Sequence, residues 1–169
     1  VQNMFGSPAL LQRLSEIGTA GDSRLGSLKR VISAGAPVSP RLLQKMAEIL
    51  PSQAEVFTPY GATEALPVAS IGSKMILEET AVKTATGAGV CVGKPMAGLE
   101  VKVIPIDDQP IANWSDRLTL PTHKVGEIVV KGPQVTGAYL GRPKAHLQAK
   151  IKDGDALYHR KGDLGYFDD

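Results

Sequence analysis

The sequence has 169 residues, 43% of them hydrophobic, enough for the core of one ordinary domain and too apolar for a disordered chain. Its 19 basic and 17 acidic residues leave a formal charge of +2 with no Lys/Arg block, which argues against a nucleic-acid partner. A single cysteine, Cys91, excludes an internal disulfide framework and a multi-cysteine zinc site, and fits a reducing, cytoplasmic setting.

No run approaches the roughly 18 apolar residues of a transmembrane segment, and the N-terminus lacks the basic-then-apolar order of a signal peptide. The chain opens on Val1 and closes on Asp168-Asp169 without a capping signal, so it reads as a piece of a longer protein. After Pro8, Leu10, Leu11, Leu14 and Ile17 form one helical stripe, with Gly18 as a stop. A polar stretch with Gly21, Asp22 and Gly26 follows, and Leu28 to Ser33 then carries the β-branched pair Val31-Ile32 of a buried strand. Ser39 as N-cap and Pro40 in the first turn start a second helix, whose apolar face is Leu42, Leu43, Met46, Ala47 and Leu50, and Pro51 ends it. Ala54 to Thr58 reads as another strand. The first sixty residues thus alternate helix and strand, the pattern of a parallel α/β sheet, and the turns 33–37 and 59–64 would both lie at the carboxyl edge of that sheet, where ligands gather.

Val68 to Ile71 is a further short strand, and Ser73 to about Thr86 is compatible with helix. After Gly87 the pattern changes: strand-like runs at Glu100 to Ile106 and Gly126 to Lys131 are separated by Gly, Pro and Asp turns, and Pro143 to Lys150 reads as a helix. The expected organisation is an α/β part over 1–87 followed by a smaller β-rich subdomain over 88–169. The proline-bearing region 107–124, with few apolar residues to pack, is expected to be an exposed loop.

Two short segments carry chemistry. In Tyr60-Gly61-Ala62-Thr63-Glu64 a flat ring adjoins a backbone open to close approach, and the hydroxyl and carboxylate that follow can address a phosphate and its magnesium ion. Taken alone, the pentapeptide reads equally well as a strand exit and helix cap. In Gly162-Asp163 the carboxylate can accept from two ribose hydroxyls, although a lone Gly-Asp is usually a turn. His123, His146 and His159 have no metal-ligand spacing, and Gly93-Lys94 lacks the first glycine and the Ser/Thr of a phosphate loop.

Together with Ser33-Ala34-Gly35-Ala36-Pro37 and the run Gly126 to Pro133 continuing to Gly137-Ala138-Tyr139, these segments occur in the order of the adenylate-forming superfamily, which the chain resembles over nearly its whole length. That superfamily includes acyl-CoA synthetases, peptide-synthetase adenylation domains and luciferases, and it activates carboxylic acids as acyl adenylates. The resemblance implies a fragment of the large N-terminal domain, with ATP/AMP, Mg and CoA as an acceptor. It implies that Gly35, Ala36, Pro37, Tyr60 and Gly61 line adenine, Thr63 meets the α-phosphate, Glu64 holds magnesium, and Asp163 binds ribose. Thr63 and Glu64 are then the catalytic pair. The Gly126 segment is read as structural, with Glu127 a structural partner. The superfamily's phosphate loop is expected before Val1, and its hinge and Lys-bearing lid after Asp169, so the fragment is expected to be inactive alone. Lys94, Lys131 and Lys161 read as surface lysines. Position 161 is commonly a small hydroxyl residue in the superfamily. His159-Arg160-Lys161, with Thr58-Pro59 and Ala65-Leu66-Pro67, is similar instead to the olefin-biosynthesis branch, which closes a β-lactone from a β-hydroxy acid. A noncatalytic nucleotide-binding module and an amino-acid adenylation domain remain the competing readings, and oligomeric state is left open.

Overall fold

The computed structural model describes residues 1–18 and 25–168, so the expected polar stretch at Gly21 and Asp22 lies outside the described residues, as does Asp169. Two compact units are formed: Val1–Tyr60 with Ala69–Lys94, and Gly61–Val68 with Pro95–Asp169.

The first unit contains β1 (Asn3–Gly6), α1 (Pro8–Ile17), β2 (Arg30–Ser33) and α2 (Pro40–Ile49), most of β3 (Glu55–Ala62) and half of β4 (Ala65–Gly72), and β4 neighbours the short β5 (Lys94–Pro95) in the sheet. The expected parallel arrangement is present: Met4 pairs with Val31, and Val31 with Val56. Both helices start as their sequences direct. The Ser7 hydroxyl accepts from the Leu10 N–H at 3.3 Å and that of Ser39 from Leu42 at 3.2 Å, each ahead of a proline in the first turn. Leu11, Val31, Leu43, Met46 and Val56 are fully or almost fully buried in one cluster, which fixes which faces of α1 and α2 meet the sheet. The helical segment expected from Ser73 is present as α3 (Ser73–Met75), a wider turn over Ile76–Thr80, and α4 (Ala81–Ala85).

β3 differs from expectation. Instead of ending at Thr58 it runs to Ala62, and only Thr63-Glu64 forms the turn before β4. Tyr60 and Gly61 therefore belong to a strand of a tight hairpin. Gly61 makes this hairpin sterically feasible, because a Cβ there would lie 2.6 Å from the Ala65 carbonyl oxygen and 2.7 Å from Leu66 Cδ1.

The second unit holds β6 (Glu100–Ile104), β7 (Gly126–Lys131), α5 (Pro143–Ala149), β8 (Lys150–Asp153) and β9 (Ala156–Gly165), in an antiparallel sheet of order β6-β7-β9-β8. Its core is Ile104, Val129, Ile151 and Tyr158. The segment 107–124 is largely an exposed loop, as expected, but it is anchored: Ile111, Trp114 and Leu118 close over this core, and the Trp114 ring stacks on Tyr158 with centroids 4.0 Å apart. A few large side chains anchor a stretch whose average composition is polar. Tyr158 is held at its other end by a hydroxyl donated to Glu100 at 2.5 Å, and Lys131 bridges Glu100 and Asp153 at 2.7 and 2.8 Å.

β9 bulges where the Gly-Asp motif falls. Glu127 faces Leu164 and Val129 faces Arg160, so Ile128 alone on β7 is opposed by Lys161, Gly162 and Asp163 on β9. Gly162 adopts φ +69, a left-handed conformation that accommodates the bulge without side-chain strain.

Candidate functional site

Glu64, Tyr139, His159, Lys161 and Gly162 of the second unit line an open cleft of about 330 Å³. The turn that carries Glu64 is fastened twice. Tyr139 donates its hydroxyl to Glu64 Oε1 at 2.9 Å, and the Thr136 N–H donates to the Glu64 carbonyl at 2.9 Å. The carboxyl is held below the usual range by its own backbone N–H and by the Tyr139 hydroxyl. Burial and the adjoining Glu64 charge raise the Tyr139 phenol, so it stays a donor at neutral pH.

His159 and Lys161 line the cleft, and a buried lysine lies behind Thr136. Lys150 is buried, 4% exposed, with its ammonium donating to the Thr136 carbonyl at 2.5 Å and hydroxyl at 3.2 Å. Burial lowers its pKa, and the Glu64 charge opposes that shift. His159, equally buried, is held down to about 4 by burial and then by Lys150, so its ring is neutral near pH 7. Lys161 is also lowered by burial, with Asp163 and Glu64 restoring part of its preference for charge.

Glu127 does what its sequence setting suggests. It is 7% exposed, and its carboxylate accepts from Arg160 Nε at 2.9 Å and Nη2 at 2.5 Å. The other oxygen accepts from the Gly162 N–H at 3.2 Å, so the ion pair also fixes the bulge carrying Asp163. Arg160 reaches on to the carbonyls of Asp107 and Gln109.

The second unit therefore brings Glu64 and Gly162 into one cleft, with Asp163 exposed beside Gly162 and Thr63 exposed beside Glu64. Gly35, Ala36, Pro37 and Tyr60 belong to the first unit: Gly35 turns the chain after β2 with φ +96, Ala36 and Pro37 are exposed, and Tyr60 is half-buried in β3. Sequence reasoning missed Thr136 and Tyr139 as partners of Glu64, and Lys150 as the partner of Thr136. Gly137-Ala138-Tyr139 signalled only a strand end, and a lysine opening a strand gives no sign of burial.

The model of the family described as AMP-binding enzyme matches residues 1–140. The chain belongs to that family. It is 46% identical, over 99% of its length, to an olefin beta-lactone synthetase of Stenotrophomonas maltophilia (strain K279a), and 31% identical, over 96%, to 4-coumarate–CoA ligase 5 of Oryza sativa subsp. japonica. It spans 30% and 27% of those two relatives. An O-succinylbenzoate coenzyme A synthetase from Bacillus subtilis, solved in complex with ATP and magnesium ion, superposes with a TM-score of 0.72 at 24% identity, over all of this chain and 30% of that one. The fold is thus part of the N-terminal domain of adenylate-forming enzymes, as the motif order implies.

For this member of the AMP-binding family, the donor set is compatible with magnesium bound jointly with nucleotide. Among the described residues no group of three His, Cys, Asp or Glu is placed to hold a metal, but magnesium commonly uses one or two carboxylates and completes its shell with substrate phosphates and water. Glu64, with its pKa lowered and one oxygen fixed by Tyr139, has the chemistry such a carboxylate needs. Among the described residues no helix is long and apolar enough to cross a membrane.

Proposed function

We propose that the complete protein to which this chain contributes is an ATP-dependent ligase that activates a fatty or β-hydroxy fatty acid as its acyl adenylate. A carboxylate oxygen attacks the α-phosphorus of ATP, the bond to the bridging oxygen breaks, and pyrophosphate leaves with the electron pair. The substrate's own β-hydroxyl then attacks the activated carbonyl, losing its proton as AMP departs, and a β-lactone closes. The observation that carries this reading is the greater identity along the chain to the beta-lactone synthetase than to the CoA ligase. The CoA-ligase relative keeps a CoA thiol as the alternative acceptor. The setting is cytoplasmic.

In this reading Asp163 accepts from the ribose hydroxyls, Thr63 donates to the α-phosphate, and Gly35, Ala36, Pro37, Tyr60 and Gly61 serve adenine. Glu64 would hold magnesium, which when bound would supply charge neutralisation for the phosphates. The cleft supports these roles by its chemistry: an ionised carboxylate and a lysine stand beside the bulge that presents Asp163. In the complete enzyme, acid-dependent exchange of pyrophosphate into ATP tests the assignments. Asp163→Ala should raise the KM for ATP about tenfold, the loss expected from about two modest hydrogen bonds. Glu64→Gln should lower kcat by about 100-fold. Exchange at wild-type rates in both variants would refute the roles. Mass spectrometry of the product, lactone or thioester, decides the acceptor.

A further inference from the structure

Glu64 is the group through which the cleft would meet magnesium, and its position is set by a segment far away in sequence. Thr136 donates its N–H to the Glu64 carbonyl, and Tyr139, three residues on, donates its hydroxyl to the Glu64 carboxylate, both at 2.9 Å. One side chain underlies both contacts. The buried Lys150 ammonium gives two hydrogen bonds to Thr136, at 2.5 Å to its carbonyl and 3.2 Å to its hydroxyl, and lies 5.8 Å from the centroid of the Tyr139 ring. A lysine is rarely buried to 4% exposure unless its charge is compensated, and here carbonyl, hydroxyl and ring face supply that compensation.

We propose that Lys150 is a positioning residue for magnesium–nucleotide binding: acting through Thr136 and Tyr139, it holds the Glu64 carboxylate in the orientation that receives the metal. This rests on the reading of Glu64 as the magnesium carboxylate. The geometry favours positioning over simple packing for two reasons. An apolar side chain would fill the same volume without desolvating a charge, and both arms of the clamp converge on one residue, Glu64. The depressed Lys150 pKa, opposed by the Glu64 charge, agrees with an ammonium kept close to that carboxylate at a desolvation cost.

The test is calorimetric binding of ATP to the complete enzyme with and without magnesium, using Lys150→Met, Lys150→Arg and Tyr139→Phe. Lys150→Met should weaken binding of magnesium–ATP about tenfold while changing magnesium-free ATP less than about twofold. Lys150→Arg, which keeps the charge and donors, should recover most of the loss. Tyr139→Phe removes one hydroxyl and should reproduce the magnesium-selective loss at about three- to tenfold, which keeps the proposal testable if Lys150→Met does not fold. Equal weakening with and without magnesium in folded variants, or no weakening in Tyr139→Phe, overturns the clamp. A wild type that binds magnesium–ATP but exchanges no pyrophosphate refutes the adenylation reading instead, and the binding comparison still decides the role of Lys150.

Discussion

Replacing Glu127 by Gln should loosen the β7–β9 pairing and, with it, the Asp163 bulge. The two side chains of the ion pair are 8% and 9% exposed, so water cannot take over the lost charge. Glu127 receives two N–H groups of Arg160 and the N–H of Gly162; the amide keeps one acceptor oxygen but turns an N–H₂ group towards other donors. Removing one partner of a buried pair costs about 3–5 kcal/mol, and the remaining carbonyl partners of Arg160 on Asp107 and Gln109 place this case at the lower end, about 3 kcal/mol. That is a large share of the stability of an ordinary domain. Hydrogen–deuterium exchange in the complete protein reads it locally: a drop of about 3 kcal/mol accelerates exchange in peptides spanning 126–131 and 156–165 by about 100-fold. The pair Glu127→Leu with Arg160→Met should recover protection to within about tenfold, because apolar replacement of a whole buried pair is close to neutral. Asp107 and Gln109 are exposed, so their carbonyls can turn to water. Acceleration below about fivefold in Glu127→Gln would refute the claim that this ion pair holds the bulge.

Protonation of His159 should destabilise the second unit. Its folded pKa, about 4, lies below the ordinary 6.5, so its contribution is fully present above pH 6.5 and is lost as pH falls towards 4, by at most about 3 kcal/mol. NMR titration of the ring, with stability followed from pH 7 to 4, checks this: His159→Gln should flatten that part of the profile, and a ring titrating near 6.5 would contradict it. Gly61→Ala should disrupt the Thr63-Glu64 hairpin, since the added methyl meets the Ala65 carbonyl oxygen, a backbone atom, at 2.6 Å. Thermal unfolding should shift down by several degrees with weakened ATP binding, and an unchanged midpoint would refute the steric argument.

The helices and parallel strands of the first sixty residues were legible because their signals are local: Ser39 caps, Pro40 opens, Pro51 stops, and Leu43 and Met46 recur on one face. What escaped was set by distant partners. That Lys161, Gly162 and Asp163 together oppose a single residue of β7 depends on register between strands some thirty residues apart, and no pattern within Tyr158 to Asp163 contains it. The end of β3 was misplaced for a related reason. Pro59 and Gly61 are turn residues by local preference, but the following strand returns to pair at once, and Gly61 serves close backbone approach within the hairpin. Glu64 and Tyr139 lie 75 residues apart, so the motif names a carboxylate without revealing what orients it. Short motifs therefore name the groups proposed for phosphate, magnesium and ribose, while the placement of Glu64 and of the Asp163 bulge resides in long-range contacts from Tyr139, Glu127 and Lys150. Substitutions at those three residues should degrade nucleotide binding although the motifs themselves stay intact, and a motif match alone would not foresee that loss.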